Sequence, residues 1–199
     1  MRLFGGPPAD WLIIGLGNPG SRYEGTPHNV GFEVARELAR RWDLPEPKKK
    51  FNGLLSEGRA GPPGAGPTPR VALLMPQTYM NDAGNSAGPA RGALKVADLD
   101  HVLALHDEID LPFGDIRDRV GGGLAGHNGL TSLKQGFGSP DFRRIRIGVG
   151  RPDSTDPEIV SAHVLGKWRQ STEEVRALIE RARDAAEDIV LGRVEPERR

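Results

Sequence analysis

Apolar positions fall into short runs that alternate with longer segments of helical periodicity. Short apolar or alternating runs bounded by glycine, proline or aspartate predict strands at 11–16, 52–59, 70–75, 101–107, 114–120 and 142–149. Helical periodicity predicts helices at 27–41, 81–94, 129–136 and 171–191. Because strands alternate with helices, we expect a three-layer α/β/α fold with a twisted mixed β-sheet. The short link between 107 and 114 allows some antiparallel pairing in that sheet.

The length and composition favour one soluble domain. With 199 residues, 37% of them hydrophobic, the chain is long enough to bury a single core, so we expect one domain over 1–199 with flexible tails at 1–10 and 192–199. The absence of cysteine excludes disulfides and thiolate metal sites. No apolar run approaches the roughly 20 residues that cross a bilayer, and no signal pattern opens the chain, which predicts a cytoplasmic protein without a membrane partner.

Charge is balanced overall, with 27 Lys+Arg and 27 Asp+Glu, so any site for a polyanion must be a local patch. Arg117 and Arg119 share one face of a predicted strand. Arg144 and Arg146 share a face of the next strand, and a lysine cluster occupies 48–50. Such arginines can follow successive phosphates, or can line a solvated sheet edge where Asp115 and Asp118 neutralise them; the spacing alone leaves both open.

His28 is the first candidate catalytic residue. It follows Thr26-Pro27, an N-cap residue and a residue tolerated at the first helical position, which places His28 in the opening turn of a helix. The positive end of that helix disfavours imidazolium, so we expect a low pKa and a neutral ring. A neutral histidine can act as a general base when a carboxylate orients it.

Asp107 is the candidate for that carboxylate. It lies in His106-Asp107-Glu108-Ile109-Asp110, where an apolar strand ends, and open α/β sheets bind ligands at such strand ends. Neighbouring side chains on a strand point to opposite faces, so the three carboxylates are not expected to converge on a cation. We expect Glu108 and Asp110 in a solvated turn.

Two further motifs have alternative interpretations. Gly15-x-Gly17-x-x-Gly20 matches the dinucleotide-binding fingerprint, but Pro19 interrupts it and no acidic residue ends a second strand at the required distance. Gly84-x-Ser86-x-Gly88 matches the nucleophile elbow of a serine esterase, but no strand runs directly into Ser86. We therefore favour a serine that packs in a helix, and keep the serine esterase as an alternative.

A glycine-rich loop precedes the third predicted helix and contains His127. Such a loop lets backbone approach a ligand, and its helix begins with free amides. His127 is either a structural partner or a second candidate base, ranked below His28.

Six ordered segments of the chain, spread over residues 11–190, resemble bacterial peptidyl-tRNA hydrolase. They are the segment 15–20 with Tyr23, His28-Asn29-Val30-Gly31, Thr78-Tyr79-Met80-Asn81 with Gly84, the segment 106–112, the glycine loop 121–123 with 126–130, and Arg144-Ile145-Arg146-Ile147-Gly148. The resemblance implies a metal-free esterase of translation and ribosome rescue, which cleaves the ester between a peptide and the 3′ ribose of tRNA. We expect no cofactor, and a monomer by default. Plant organellar splicing proteins share this fold, so a non-catalytic RNA-binding protein is a further alternative.

The resemblance also assigns roles to residues. It implies that His28 activates water and that Asp107 fixes the tautomer of His28. It places Arg117 and Arg119 near tRNA phosphates. The residues that it implies in substrate binding are Asn18, Tyr23, Met80, Asn81, His127 and Asn128.

The chain departs from the family pattern at three places. Pro27 replaces a basic residue that is common before the catalytic histidine, and Leu124-Ala125 replaces a His/Glu-Gly type pair. In 151–168, which resembles a mobile lid over the cleft, His163 replaces a frequent tyrosine.

Overall fold

A computed structural model describes residues 7–195, so the tails expected at 1–10 and 192–199 lie partly outside the described residues. The strands are β1 (Trp11–Gly15), β2 (Lys48–Lys50), β3 (Gly53–Arg59), β4 (Arg70–Pro76), β5 (Val102–Glu108), β6 (Ile116–Val120) and β7 (Arg143–Gly148). The α-helices are α1 (Val30–Arg41), α2 (Gly84–Ala93), α3 (Asn128–Phe137), α4 (Pro157–Leu165) and α5 (Thr172–Val190).

All seven strands form one mixed sheet in the order β2-β3-β4-β1-β5-β7-β6. The four central strands are parallel, whereas β3, its neighbour β2 and the far edge strand β6 pair antiparallel. The carboxyl ends of β4, β1, β5 and β7 therefore lie on the same side, called here the carboxyl end of the sheet. Open α/β folds bind ligands there.

Helices cover both faces of the sheet, which confirms the predicted three-layer α/β/α architecture. On one face α1 and α5 pack over a core that includes Ile13 and Leu103, and on the other α2 and α3 pack over Leu12 and Ile14. Since both faces are covered, β1 is buried along its whole length and shows as a continuous apolar run.

Several predictions about individual elements were wrong. The helix expected at 27–41 begins as a 3-10 turn over Pro27–Asn29, and the Thr26 hydroxyl donates to the Tyr23 carbonyl at 2.7 Å instead of capping the helix. The antiparallel pairing that the short link between 107 and 114 allowed is present, between β6 and β7. The strand β2 and the helix α4 were not predicted. No helix within residues 7–195 is long and apolar enough to span a membrane.

Candidate active site

A pocket of about 630 Å³ opens at the carboxyl end of the sheet. It is formed by the segments that follow β1, β4 and β5, by the glycine-rich loop before α3, and by α4. The pocket brings together every catalytic and substrate-binding residue expected from the sequence, namely Asn18, Tyr23, His28, Met80, Asn81, Asp107, His127 and Asn128.

His28 and Asp107 are in direct contact although 79 positions separate them in the chain. The His28 Nδ1 lies 2.9 Å from Asp107 Oδ1 and 3.0 Å from Oδ2. Asp107 is buried at the end of β5, and His28 keeps 14% of its side chain exposed. Since Nδ1–H donates to a carboxylate, Nε2 is left as the proton acceptor, and it makes no hydrogen bond to any residue in 7–195.

His127 contacts the same carboxylate oxygen, but in a different tautomeric role. Its Nδ1 accepts from the backbone amides of Gly129 and Leu130 at 3.1 and 3.3 Å, so the proton is on Nε2. That Nε2–H donates to Asp107 Oδ1 at 2.9 Å. Both nitrogens of His127 are therefore engaged, which leaves His28 as the ring that can take up a proton.

The ligand atoms of His28, Asp107 and His127 lie within 4.8 Å of one another, close enough to hold a metal ion. The hydrogen-bond pattern does not fit a metal centre, however. A neutral imidazole coordinates through its unprotonated nitrogen, and in His127 that nitrogen already accepts two backbone amides.

Burial and the neighbouring charges together lower the pKa of Asp107 and raise the pKa of His28. Burial alone would raise the pKa of Asp107, but the two adjacent imidazoles hold that pKa well below its usual range. Burial lowers the pKa of His28, but the Asp107 carboxylate outweighs it and the net shift is upward. The expected low pKa of His28 was therefore wrong. The 3-10 turn holds His28 outside α1, and a contacting carboxylate acts more strongly than a helix terminus.

Asn18 is held so that its side-chain N–H₂ is free to face the pocket. Its Oδ1 accepts from the backbone N–H of Met80 at 2.8 Å, which fixes the orientation of the amide. Asn29, which sequence analysis did not assign to the site, holds the backbone of Asn18 on both sides: its Oδ1 accepts from Asn18 N and its Nδ2 donates to Asn18 O. The sequence signal for Asn29 was its place in the family-like segment His28-Asn29-Val30-Gly31.

The rim of the pocket combines exposed amides with aromatic and aliphatic side chains. Asn81 and Asn128 are exposed, and the rings of Tyr23 and Tyr79 meet edge to face at 6.4 Å. The helix α4 lies within the segment expected to resemble a lid and contributes Val160, Val164 and Leu165 to the lining.

The structure shows which groups contact the residues that depart from the family pattern. His163 on α4 lies with its Nε2 3.0 Å from the Gly150 carbonyl, so it ties this helix to the chain after β7. Pro27 is buried as the first residue of the 3-10 turn that carries His28. Leu124 packs against the core under α2 and α3, and Ala125 adopts a positive φ of 50°.

Glu108 differs from its predicted place in a solvated turn. It is buried, accepts from Arg146 Nε at 3.0 Å, and accepts from the backbone amide of Asp110 at 3.1 Å. Asp110 is exposed as expected and pairs with Arg151. The hydrophobic strand before Glu108 gave no indication that Arg146 on β7 would form an ion pair with it.

Arg117 and Arg119 lie outside the pocket, on β6, directly opposite Arg146 and Arg144 in the antiparallel register. All four side chains therefore share one face of the sheet. Arg117 is 62% exposed and lies 3.6 Å from Asp115. Asp118 points to the other face and pairs with Arg143, so it does not neutralise this basic face.

Arg144 is buried rather than solvated. Its guanidinium donates to the carbonyls of Gly121 and Gly123, and thereby holds the glycine-rich loop that carries His127. Burial and the neighbouring arginines lower its pKa to about 10. His106 is likewise buried, and burial lowers its pKa to about 3, so its ring is neutral.

The two alternative motifs do not form sites. Gly20 has a φ of 100° and precedes a 3-10 turn instead of a helix, so the glycines do not form a dinucleotide loop. Ser86 is fully buried inside α2, and its Oγ has no hydrogen-bond partner within the described chain. Ser86 packs in a helix, as the sequence favoured.

Comparison with known proteins identifies the family. The sequence model of the family described as Peptidyl-tRNA hydrolase matches residues 12–197. A peptidyl-tRNA hydrolase of Methylocella silvestris is 46% identical over 161 residues, covering 80% of this chain and 76% of the relative. One from Kineococcus radiotolerans is 43% identical over 187 residues, covering 91% of each chain.

Solved structures agree with these relatives. The crystal structure of peptidyl-tRNA hydrolase from Acinetobacter baumannii superposes with a TM-score of 0.77 at 37% identity, covering 95% of this chain and 93% of that one. The chain therefore belongs to the peptidyl-tRNA hydrolase family and is an enzyme that releases tRNA from peptidyl-tRNA.

Proposed function

We propose that His28 activates a water molecule for attack on the ester that joins the peptide to the 3′ ribose of tRNA. The observation that carries this proposal is the contact between His28 Nδ1 and Asp107, which leaves Nε2 as an acceptor in a pocket lined by amides. As the water oxygen bonds to the ester carbonyl carbon, its proton moves to Nε2. Collapse of the tetrahedral intermediate breaks the bond to the 3′ oxygen, which takes that proton from the imidazolium.

We propose that carboxamides stabilise the oxyanion and hold the peptide. The amide of Asn18 supports this role, since Met80 N–H fixes its oxygen and orients its N–H₂ as a donor before substrate arrives. Asn81 and Asn128 at the rim hydrogen-bond the peptide, and Tyr23, Met80 and His127 complete the binding surface. The reaction needs no cofactor and no metal ion.

We propose that Arg117 and Arg119 bind phosphates of the tRNA. Their shared face, the exposure of Arg117 and the absence of Asp118 from that face support this assignment. The enzyme acts in the cytoplasm as a monomer of one domain, without a membrane partner, and its role in translation includes ribosome rescue.

A release assay on N-acetyl-aminoacyl-tRNA, with a chelator present, tests this mechanism. Replacing His28 by alanine removes the base, so we expect kcat to fall by about 10²–10⁴-fold while the fold is kept. Chelation should leave the wild-type rate unchanged. Ser86→Ala is the matched control and should retain wild-type activity, because Ser86 is buried away from the pocket.

The same variants separate the alternatives. A serine esterase would lose activity in Ser86→Ala and keep it in His28→Ala. A non-catalytic RNA-binding protein would release no peptide even as wild type. Loss of the wild-type rate with chelator would contradict the proposal that no metal takes part.

A further inference from the structure

Three consecutive lysines form the edge strand β2, and the mechanism above does not use them. Lys48, Lys49 and Lys50 are all exposed. The last two line a second pocket of about 640 Å³, together with Phe51, Asn52, Gly53, Leu54 and Gln77. We call this the β2 pocket.

The β2 pocket also lies at the carboxyl end of the sheet. Lys50 pairs with Gly53, and Gly53 pairs with Pro76, so β2 ends level with the carboxyl end of β4. The Gln77 amide donates to the Asn52 carbonyl at 2.8 Å and ties the two segments together. Two residues after Gln77, the chain reaches Tyr79 and enters the lining of the catalytic pocket. The two pockets are therefore neighbours at the carboxyl end of the sheet.

The strand order places the β2 pocket on the side opposite the basic face of β6. The sheet runs from β2 at one edge to β6 at the other, and Asp107 lies on β5 between them. If the tRNA phosphates lie along β6, the acceptor end reaches the ester over β7. The peptide then continues across β1, β4 and β3 toward β2.

Strand spacing gives the length of peptide that this path requires. Four steps between β5 and β2, at roughly 4.8 Å each, make about 19 Å. An extended chain covers about 3.3–3.6 Å per residue, so about five or six residues bridge this distance. The lysines would meet the peptide at that separation from the residue that forms the ester.

Charge and backbone geometry indicate what kind of peptide fits. Lys49 has no ion pair within residues 7–195, and Lys50 lies 3.7 Å from Glu57, with both of these side chains about half exposed. Such an exposed ion pair contributes little to stability, so Lys50 can exchange Glu57 for a carboxylate of the peptide. As an edge strand, β2 also presents backbone N–H and C=O groups that an extended peptide can pair with.

We propose that the β2 pocket is a remote subsite for the substrate's own peptide, and that it binds acidic residues about five positions before the ester. The subsite rests on the proposed function, since it assumes tRNA along β6 and the ester at His28. It would make the release rate depend on peptide sequence well beyond the cleaved bond.

The test uses two peptidyl-tRNAs that differ only at the fifth and sixth residues before the ester, Asp-Asp in one and Asn-Asn in the other. Two exposed ion pairs predict that the wild type prefers the acidic substrate by about fivefold in kcat/KM, mainly through KM. The double variant Lys49→Gln/Lys50→Gln should lose this preference. It should cleave N-acetyl-aminoacyl-tRNA at the wild-type rate, because that substrate does not reach β2.

The control is Lys134→Gln, which removes an exposed lysine of α3 outside both pockets and should keep the preference. Equal cleavage of the two peptidyl-tRNAs by the wild type would overturn the subsite. An equal loss on the long and the short substrates in the double variant would assign the lysines to tRNA and overturn it as well. A wild type that cleaves none of the substrates would instead refute the catalytic mechanism on which the subsite rests.

Discussion

At the scale of single residues, the site is organised around one oxygen atom. Asp107 Oδ1 lies 2.9 Å from both His28 Nδ1 and His127 Nε2. The two rings nevertheless differ in their hydrogen bonds, because backbone amides occupy the second nitrogen of His127 and no residue in 7–195 occupies that of His28. One carboxylate thus orients both rings, His28 through Nδ1 and His127 through Nε2.

Replacing Asp107 by asparagine tests this arrangement through the pH profile. The base is active when neutral, so kcat/KM of the wild type should rise with pH around a midpoint above the usual histidine pKa of about 6.5. Asparagine removes the charge that raises the pKa of His28, and burial then lowers it. We expect the midpoint to move to lower pH and the plateau to fall by at least about tenfold, because the tautomer is no longer fixed.

Asp110→Asn is the control for that profile, since Asp110 is exposed and pairs with Arg151 instead of a histidine. It should leave the midpoint in place. An unchanged midpoint in Asp107→Asn would show that the carboxylate does not set the pKa of His28.

The sequence predicted which side chains meet in one pocket, whereas their roles stay predictions. His28, Asp107 and the three asparagines were expected to meet, and they line one pocket. The orientation of Asn18 by Met80 N–H was not predictable, because a backbone amide carries no signature in the sequence. The burial of Glu108 and Arg144 was missed for a related reason: it depends on which strands become neighbours.

At the scale of elements, small residues allow α2 and α3 to cross at close range. Gly84 on α2 faces the carbonyl of Ser132 on α3, and a Cβ added to Gly136 would lie 2.6 Å from the Gly84 carbonyl. Since α3 begins at Asn128 and follows His127, this crossing sets the position of two residues of the active site.

Gly84→Ala should therefore destabilise the protein. The added methyl group would overlap the backbone of α3, and we expect the free energy of unfolding to fall by about 1–3 kcal/mol. Gly92→Ala lies in the same helix, where an added Cβ meets nothing within 4 Å, and should stabilise by about 0.5–1 kcal/mol. Urea denaturation measures both, and a Gly84→Ala variant as stable as Gly92→Ala would contradict the close crossing.

The elements that the sequence failed to predict are those with weak periodicity. A strand of three lysines has no apolar face, and β2 forms only because the chain turns through positive φ at Phe51 and Asn52 and pairs back on β3. In α4 a single residue, Val164, is buried, so its sequence lacks the apolar stripe of a core helix. The central strands and α1 were predicted because burial on the sheet imposes a pattern.

At the scale of the whole molecule, 27 basic residues balance 27 acidic residues, so electrostatic attraction to tRNA must come from local basic patches. The basic face of β6 and β7 is on one outer part of the sheet and the β2 lysines are at the other edge. Binding should therefore depend on a few phosphate contacts, and its slope with salt concentration should be correspondingly small.

Arg117→Gln tests the basic face. Loss of one phosphate contact should reduce the slope of log K against log salt concentration by about one unit, without a change in kcat. Equilibrium binding of deacylated tRNA at several salt concentrations gives the slope. Arg36→Gln on α1 removes an exposed arginine paired with Glu33 and should leave the slope unchanged. Equal slopes for Arg117→Gln and the wild type would exclude Arg117 from the tRNA contact.

The shared carboxylate also bears on turnover. The adjacent imidazoles hold the pKa of Asp107 well below its usual range, so this carboxylate stays ionised in the pocket. The ester group itself is uncharged, whereas hydrolysis gives a carboxylic acid that becomes an anionic C-terminus beside that aspartate once its proton passes to solvent. Like charges at short range repel, so we expect product release to be favoured and end-product inhibition to be weak.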